Sequence, residues 1–190
     1  MVLSDKGIRK ALKDGHINID PFVEENLQPA SYDLHIGRTL LLFDRGNNSH
    51  IDIKEPMESL MVEHEMGDDG YILHPKEFIL ANIKEITGVD DQHVGFLHGK
   101  SSLARIGLLI HATAGLLDPG NELRLTLEMY NLSPLPIKLY PDMKIGQITF
   151  ERIDGKCERP YGSDGLNSKY KGDMVVSGSK MYQNYNNEEK

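Results

Sequence analysis

GKSSLARIGLLIHATAGLLDPGNELRLTLEMYN, residues 99–131, holds most of the chemically capable side chains of the chain in one span. Its final third decides the fold class. Leu123, Leu125 and Leu127 alternate with Arg124, Thr126 and Glu128, the period-2 pattern of a half-buried strand. The leucines then face a core, and Glu128 shares the opposite face with Thr126 and Arg124. Asp118-Pro119-Gly120 just upstream is a turn signal. By spacing alone, Glu128 is an ordinary solvent-facing strand carboxylate. The start of the span supports two readings. Gly99 lets backbone come close, Ser101 or Ser102 can cap a short helical turn, and a helix start welcomes an anion. Lys100 and Arg105 add charge, and arginine offers a forked contact to phosphate or carboxylate. The other reading is a capped surface helix carrying two solvated cations.

Outward from this span the pattern stays β. Tyr71 to Leu73, Phe78 to Ile83, Val94 to Leu97, Leu108 to His111, Leu123 to Tyr130, Pro136 to Leu139 and Ile145 to Glu151 are short apolar runs with turn residues between them. Such spacing predicts an all-β barrel or sandwich of jelly-roll type. Upstream, Ser4-Asp5 starts a short helix that Gly15 stops. Ala30 to Ile36 and Arg38 to Phe43 read as strand, with Ser31, Asp33 and His35 on its outward face. Residues 44–70 read as a polar excursion with one short strand at Ile51 to Ile53, and 55–69 is the least ordered-looking part. Its acids Glu63, Glu65, Asp68 and Asp69 lack the ligand order of a calcium loop and read as solvated. From Asp154 onward Gly, Ser, Asn, Tyr and Lys dominate, which reads as a flexible tail with residues 184–190 disordered.

The 190 residues suffice for a single domain with a real core. A net charge of −8 argues against general binding to nucleic acid or membrane. One cysteine, Cys157, rules out an internal disulfide framework and fits a reducing cytosol. No apolar run spans a bilayer and the N-terminus lacks a signal-peptide core, so the expected location is cytoplasmic.

GKSSLAR, TAGLLDPG and TLEMYN, together with QPASYDLHIG at 28–37, KIGQITFE at 144–151 and PYG…SKY in the tail, resemble the dCTP deaminase branch of the trimeric dUTPase superfamily. The match runs through nearly the whole chain in order. It implies the distorted jelly-roll of that superfamily, short peripheral helices, and a tail at about 154–190 that closes over a nucleotide. The glutamate of TLEMYN is the deaminase-like mark, since plain dUTPases generally lack it. Zinc-dependent cytidine deaminases need His and Cys ligands in H-x-E and P-C-x-x-C motifs. With a single cysteine and neither motif, deamination by this chain would be zinc-independent.

The resemblance implies roles residue by residue. Glu128 is the general acid/base, Ser101 positions the water or the amine, and Arg105 locks Glu128 and touches phosphate. Lys100 and Ser102 join the phosphate site. Backbone at Thr113 and Ala114 reads the pyrimidine edge, Thr126 and Leu127 line the base pocket, Asp118 meets the sugar 3′-hydroxyl, and Gln147 faces the nucleotide. Tyr161, Lys169, Tyr170 and Asp173 belong to the closing tail. Magnesium comes bound mainly to the triphosphate. The implied ligands are dCTP and dUTP, with dTTP as inhibitor, in a homotrimer whose sites draw on more than one chain. The leading expectation is a dCTP deaminase releasing dUTP and ammonia. A bifunctional form giving dUMP and diphosphate follows close behind, favoured by Gly115-Leu116 and Gln147. A plain dUTPase and a non-catalytic nucleotide-binding regulator complete the set. Three positions depart from the family: Asn121 and Leu123 stand where an aromatic residue and a glycine are usual, and Asp173 where glutamine is usual.

Overall fold

The computed structural model of the chain describes residues 1–44, 46 and 49–185. Helix α1 (Asp5–Asp14) begins where expected: the Ser4 side chain accepts from the Gly7 amide, and Gly15 closes the helix in left-handed conformation at φ 76°. Ile8 and Ala11 form its buried face. Strands β1 (Ile17–Asp20), β2 (Tyr32–Phe43), β3 (Met61–Glu65), β4 (Tyr71–Leu73), β5 (Phe78–Ile83), β6 (Ile86–Val89) and β7 (His93–Gly99) follow. After the one-turn helix α2 (Ser101–Ala104) come β8 (Leu108–Leu109), β9 (Leu116–Leu117), β10 (Glu122–Leu123), β11 (Thr126–Asn131), β12 (Ile137–Leu139) and β13 (Lys144–Arg152).

Among the described residues one sheet dominates, in the order β8-β11-β5-β2-β13-β7-β9 with β3 added along β2. A three-stranded sheet β1-β6-β10 and the long-range two-stranded pair β12-β4 complete it. The paired strands run antiparallel. The architecture is the expected all-β jelly-roll type with short helices at its edge. Alternation explains the central strand: Ile148 and Phe150 are fully buried while Gln147 and Thr149 face the other way. Gly146 sits at a register shift between β13 and β2. A Cβ there would come 2.7 Å from the Ile110 Cδ1 and 3.1 Å from the His98 carbonyl oxygen, so a larger residue would force the Ile110 side chain to move.

Some boundaries differ from expectation. The 123–130 run divides, because Leu123 pairs with Thr87 of β6 whereas Thr126 pairs with Asn82 of β5. The chain changes sheets at Arg124 and Leu125. Ile51 to Ile53 is not a strand, and Met61–Glu65, inside the stretch expected to be least ordered, is one. β3 is an edge strand whose polar side chains face water, a composition that protects edges from further pairing. β6 is four residues long and broken by Gly88, and β9 is two residues long, so neither shows in periodicity. The tail from Asp154 carries no strand, yet it lies packed on the body, and Met181–Asn184 forms a single 3-10 turn. Residues 186–190, part of the segment expected to be disordered, lie outside the described residues.

Candidate functional site

β7 delivers the Lys100 loop to the surface. Ser101 is already helical, so Lys100 is the N-cap of α2 and makes no side-chain cap bond, which corrects the expected serine cap. Ser101, Ser102 and Arg105 are exposed, and their side chains form no hydrogen bond or ion pair among the described residues. Lys100 is held differently. Its ammonium bonds Asp33 Oδ1, while Lys144 Nζ reaches Asp33 Oδ2 at 3.0 Å. Asp33 is almost inaccessible, with 3% of its surface exposed. A buried carboxylate needs such partners, and two lysines leave the set with one net positive charge. Gln147 faces Asp33 in the β13–β2 register. It accepts from Ser31 Oγ at 3.0 Å and donates to the Gly99 carbonyl at 3.4 Å, tying the loop to the sheet.

The expected outward face of Ser31, Asp33 and His35 is therefore corrected: these side chains point into a polar interior layer. His35 Nδ1 lies 2.6 Å from Glu85 Oε1, and Glu85 Oε2 accepts the His35 amide at 3.0 Å. Each polar group meets a partner, the condition for burying it.

Glu128 is partly buried on β11. Its Oε2 accepts from the amides of Ala112 at 2.9 Å and Thr113 at 3.2 Å, and Oε1 has no bonded partner among the described residues. β11 pairs with β5 from Thr126 to Tyr130, but with β8 only at Tyr130 and Asn131. The backbone edge beside Thr126, Leu127 and Glu128 thus lacks a strand partner. The Leu127 side chain is fully buried, so only its backbone faces this gap. Thr113 and Ala114 stand exposed on the opposite wall. The result is a slot bounded by hydrogen-bonding backbone, with one carboxylate bridging its end. His111 Nδ1 is buried beside it without a partner.

The Asp118-Pro119-Gly120 turn follows β9. Burial pushes the Asp118 carboxyl above the usual carboxylate range. Gly120, at φ 80°, donates to the Asp90 carbonyl at 3.0 Å and leaves no room for a side chain, since a Cβ would lie 2.6 Å from Pro160. The tail docks on this turn. The Tyr161 amide donates to the Pro119 carbonyl at 2.8 Å, and Lys171 Nζ bonds the Gly120 and Tyr161 carbonyls. The Tyr161 hydroxyl accepts from the Tyr170 amide at 3.1 Å. Lys169 is partly exposed, and its ammonium has no partner among the described residues.

Two of the unusual residues are engaged here. Asn121 is buried, and its Oδ1 accepts from the Glu122 amide at 3.0 Å and the tail's Gly172 amide at 3.3 Å. Asp173 is clasped by Lys180, whose Nζ lies 2.9 Å from both carboxylate oxygens, while Ser177 Oγ adds a 2.9 Å bond. The Asp173 carbonyl accepts from the Arg124 amide at 2.9 Å. Leu123, at the third unusual position, is a core side chain.

The structure thus gathers Glu128, Thr113, Thr126 and Leu127 at one slot, and Tyr161 and the Gly172-Asp173 segment around the Asp118 turn. Within one chain it does not bring Ser101, Ser102 or Arg105 into bonding contact with Glu128. Sequence reasoning missed Asp33, Ser31, Lys144, Asn121 and Lys180. Ser31 and Asp33 lie in QPASYDLHIG, Lys144 opens KIGQITFE and Asn121 follows the Asp-Pro-Gly turn, but none was given its observed role, and Lys180 lies in none of these motifs. A cavity of about 620 Å³ opens beside Arg38, Lys84, Arg124 and Met174, with neither Glu128 nor the Asp118 turn among its lining residues. The Glu128 geometry rather than that cavity marks the site. His16, Asp90 and His93 form a further group whose ligand atoms lie within 4.8 Å of one another. No helix among the described residues is long and apolar enough to cross a membrane.

A family model described as dCTP deaminase-like matches residues 2–153. A protein of Bifidobacterium animalis subsp. lactis named "dCTP deaminase, dUMP-forming" is 44% identical over 97% of this chain and 96% of its own length. A protein of the same name from Corynebacterium jeikeium is 44% identical over 98% of this chain and all of its own. The crystal structure of 2′-deoxycytidine 5′-triphosphate deaminase from Agrobacterium tumefaciens has the same fold, with a TM-score of 0.63 at 19% identity over 80% of this chain and 48% of that one. The names of the curated relatives overturn one expectation: they favour the dUMP-forming type over a deaminase that stops at dUTP. By motif order, topology and these matches, the chain belongs to the dCTP deaminase-like family.

Proposed function

We propose that this chain converts dCTP and two waters to dUMP, diphosphate and ammonia. The observation that carries the reading is the Glu128 carboxylate, fixed through Oε2 by two amides across an unpaired strand edge. That edge offers a pyrimidine the backbone donors and acceptors it needs, and Oε1 remains available to a water. The names of relatives 42–44% identical over nearly the whole chain support the product.

In this reading the base lies between Thr113-Ala114 and Thr126-Leu127. Glu128 takes a proton from water as its oxygen adds to C4, then returns it to the amine, which departs as ammonia. Asp118 meets the sugar 3′-hydroxyl and orients the second water toward the α-phosphorus, releasing diphosphate. Its raised proton affinity suits a base that must hold a proton briefly. Lys100, preset by Asp33, joins Ser102 and Gln147 at the phosphates, and Lys169, Tyr161 and Tyr170 cover them. Asp173 holds the tail shut through Lys180 rather than touching phosphate. Ser101 and Arg105 serve the Glu128 of a neighbouring chain in a homotrimer, which accounts for their exposed, unengaged side chains. Lysines, arginine and hydroxyls dominate the phosphate end, and Asp33 is already taken by two lysines. Magnesium would therefore arrive with the nucleotide and supply charge neutralisation at its phosphates. The nucleotide substrate and single reduced cysteine fit a cytoplasmic enzyme inhibited by dTTP.

The test is chromatography of dCTP incubated with the protein and magnesium. dUMP and ammonia in equal amounts are expected, without a dUTP pool. dUTP as the end product, or no ammonia, would overturn the proposal.

A further inference from the structure

We propose that His16, Asp90 and His93 form a binding site for a single first-row transition ion of the zinc or cobalt type, with a structural role. The site lies at the corner where three parts of the chain meet. The β1–β6 ladder pairs Ile17 with Val89, and its next rung sets His16 opposite Asp90, whose amide donates to the His16 carbonyl at 2.8 Å. The 90–92 turn, fixed by the Gln92 amide on Asp90 Oδ1 at 2.9 Å, then brings His93 back over the same carboxylate.

Each carboxylate oxygen faces one imidazole. His16 Nδ1 is 2.8 Å from Asp90 Oδ2, and His93 Nδ1 is 2.7 Å from Asp90 Oδ1. The two rings stand 5.2 Å apart at 30°. An ion with bonds of about 2.0–2.1 Å holds neighbouring ligands roughly 3 Å apart, so small side-chain rotations complete the set. A shift of each imidazole's Nδ1 proton to Nε2 frees Nδ1 for the ion. The nearest ammonium, Lys156, is engaged at 2.7 Å by Asp91.

The donor types choose the ion. Two imidazole nitrogens and one carboxylate oxygen suit zinc, cobalt, nickel or iron, whereas magnesium prefers oxygen. The site uses no cysteine and takes no part in the deamination. Through the Asp90 carbonyl on Gly120, an ion here would brace the 118–121 turn as well as α1 and β7.

Co2+ added to the chelator-stripped full chain tests this. We expect one Co2+ per chain, visible ligand-field absorption, and a Tm raised by several degrees, with no rise in Mg2+. His16→Ala, at a half-exposed position that tolerates truncation, should weaken Co2+ at least roughly tenfold and abolish the Tm shift, leaving dUMP formation in Mg2+ unchanged. Asp90→Asn, which keeps the shape, should act likewise. Absence of Co2+ absorption and Tm shift in the unmodified chain, or equal binding by His16→Ala, would overturn the proposal.

Discussion

Glu128 and Asp173 are both carboxylates, one on a strand and one in the tail, and the chain holds them by different means. Glu128 rides on β11, where Leu127 and Met129 are fully buried and Leu125 just before the strand nearly so. Each such side chain contributes about 1.5–3 kcal/mol. Asp173 lies on a strand-free segment held by hydrogen bonds and one ion pair, each worth about 0.5–1.5 kcal/mol net. The first arrangement fixes an atom to a position. The second can be undone one bond at a time, which suits the role proposed for the tail, opening and closing over a nucleotide.

Glu128→Gln should show the largest effect. Ammonia release from dCTP should fall by about 10²–10⁴, with nucleotide binding retained in a calorimetric titration. Full activity would remove Glu128 from the fixed half of the comparison. Next, Asp118→Asn should slow diphosphate release by about 10² or more, so that dUTP accumulates on a chromatogram. The same variant bears on stability. Burial raises the Asp118 pKa in the folded chain, so its contribution is full below the unfolded value and is lost as pH rises through the folded one. Asp118→Asn should therefore melt higher than the wild type at neutral pH, and the gap should close in acid.

Asp33→Ala removes the anchor of Lys100. A fully buried pair would cost about 3–5 kcal/mol, but Lys100 and Lys144 are 27% and 44% exposed and can reach water. About 1–3 kcal/mol is expected by denaturant unfolding. Lys180→Ala should have the smallest effect on stability, about 1 kcal/mol confined to the tail. It should raise KM for dCTP roughly fivefold and speed proteolysis after residue 154, with Tm unchanged. A drop in global Tm would show that the tail is part of the body.

The strand carrying Glu128 was legible because alternation over Leu123 to Glu128 reports local burial. The helix at Asp5–Asp14 was legible because its caps are neighbours in sequence. Asp33 was misread for the opposite reason: a strand's second face counts as solvent until another strand's lysine and a loop's lysine are known to cover it. Lys100 and Lys144 are 67 and 111 residues away. Asp173 looked out of place because its counter-charge, Lys180, carries no motif. β3 was missed because an exposed edge strand such as MVEHE has the composition of a loop. Glu128 itself became chemical only through the resemblance. Nothing in its own spacing distinguishes it, and its two amide contacts come from residues 15 and 16 positions earlier.

Ser101 and Arg105 face outward from α2 while Glu128 is anchored elsewhere in the same chain. Under the proposed trimer, two dead proteins can therefore rescue one another. If Ser101→Ala and Glu128→Gln chains are unfolded, blended in equal amounts and refolded together, about a quarter of the slots would draw an intact residue from each parent. Recovered turnover of that order would reveal shared ownership of the chemistry without any view of the assembly.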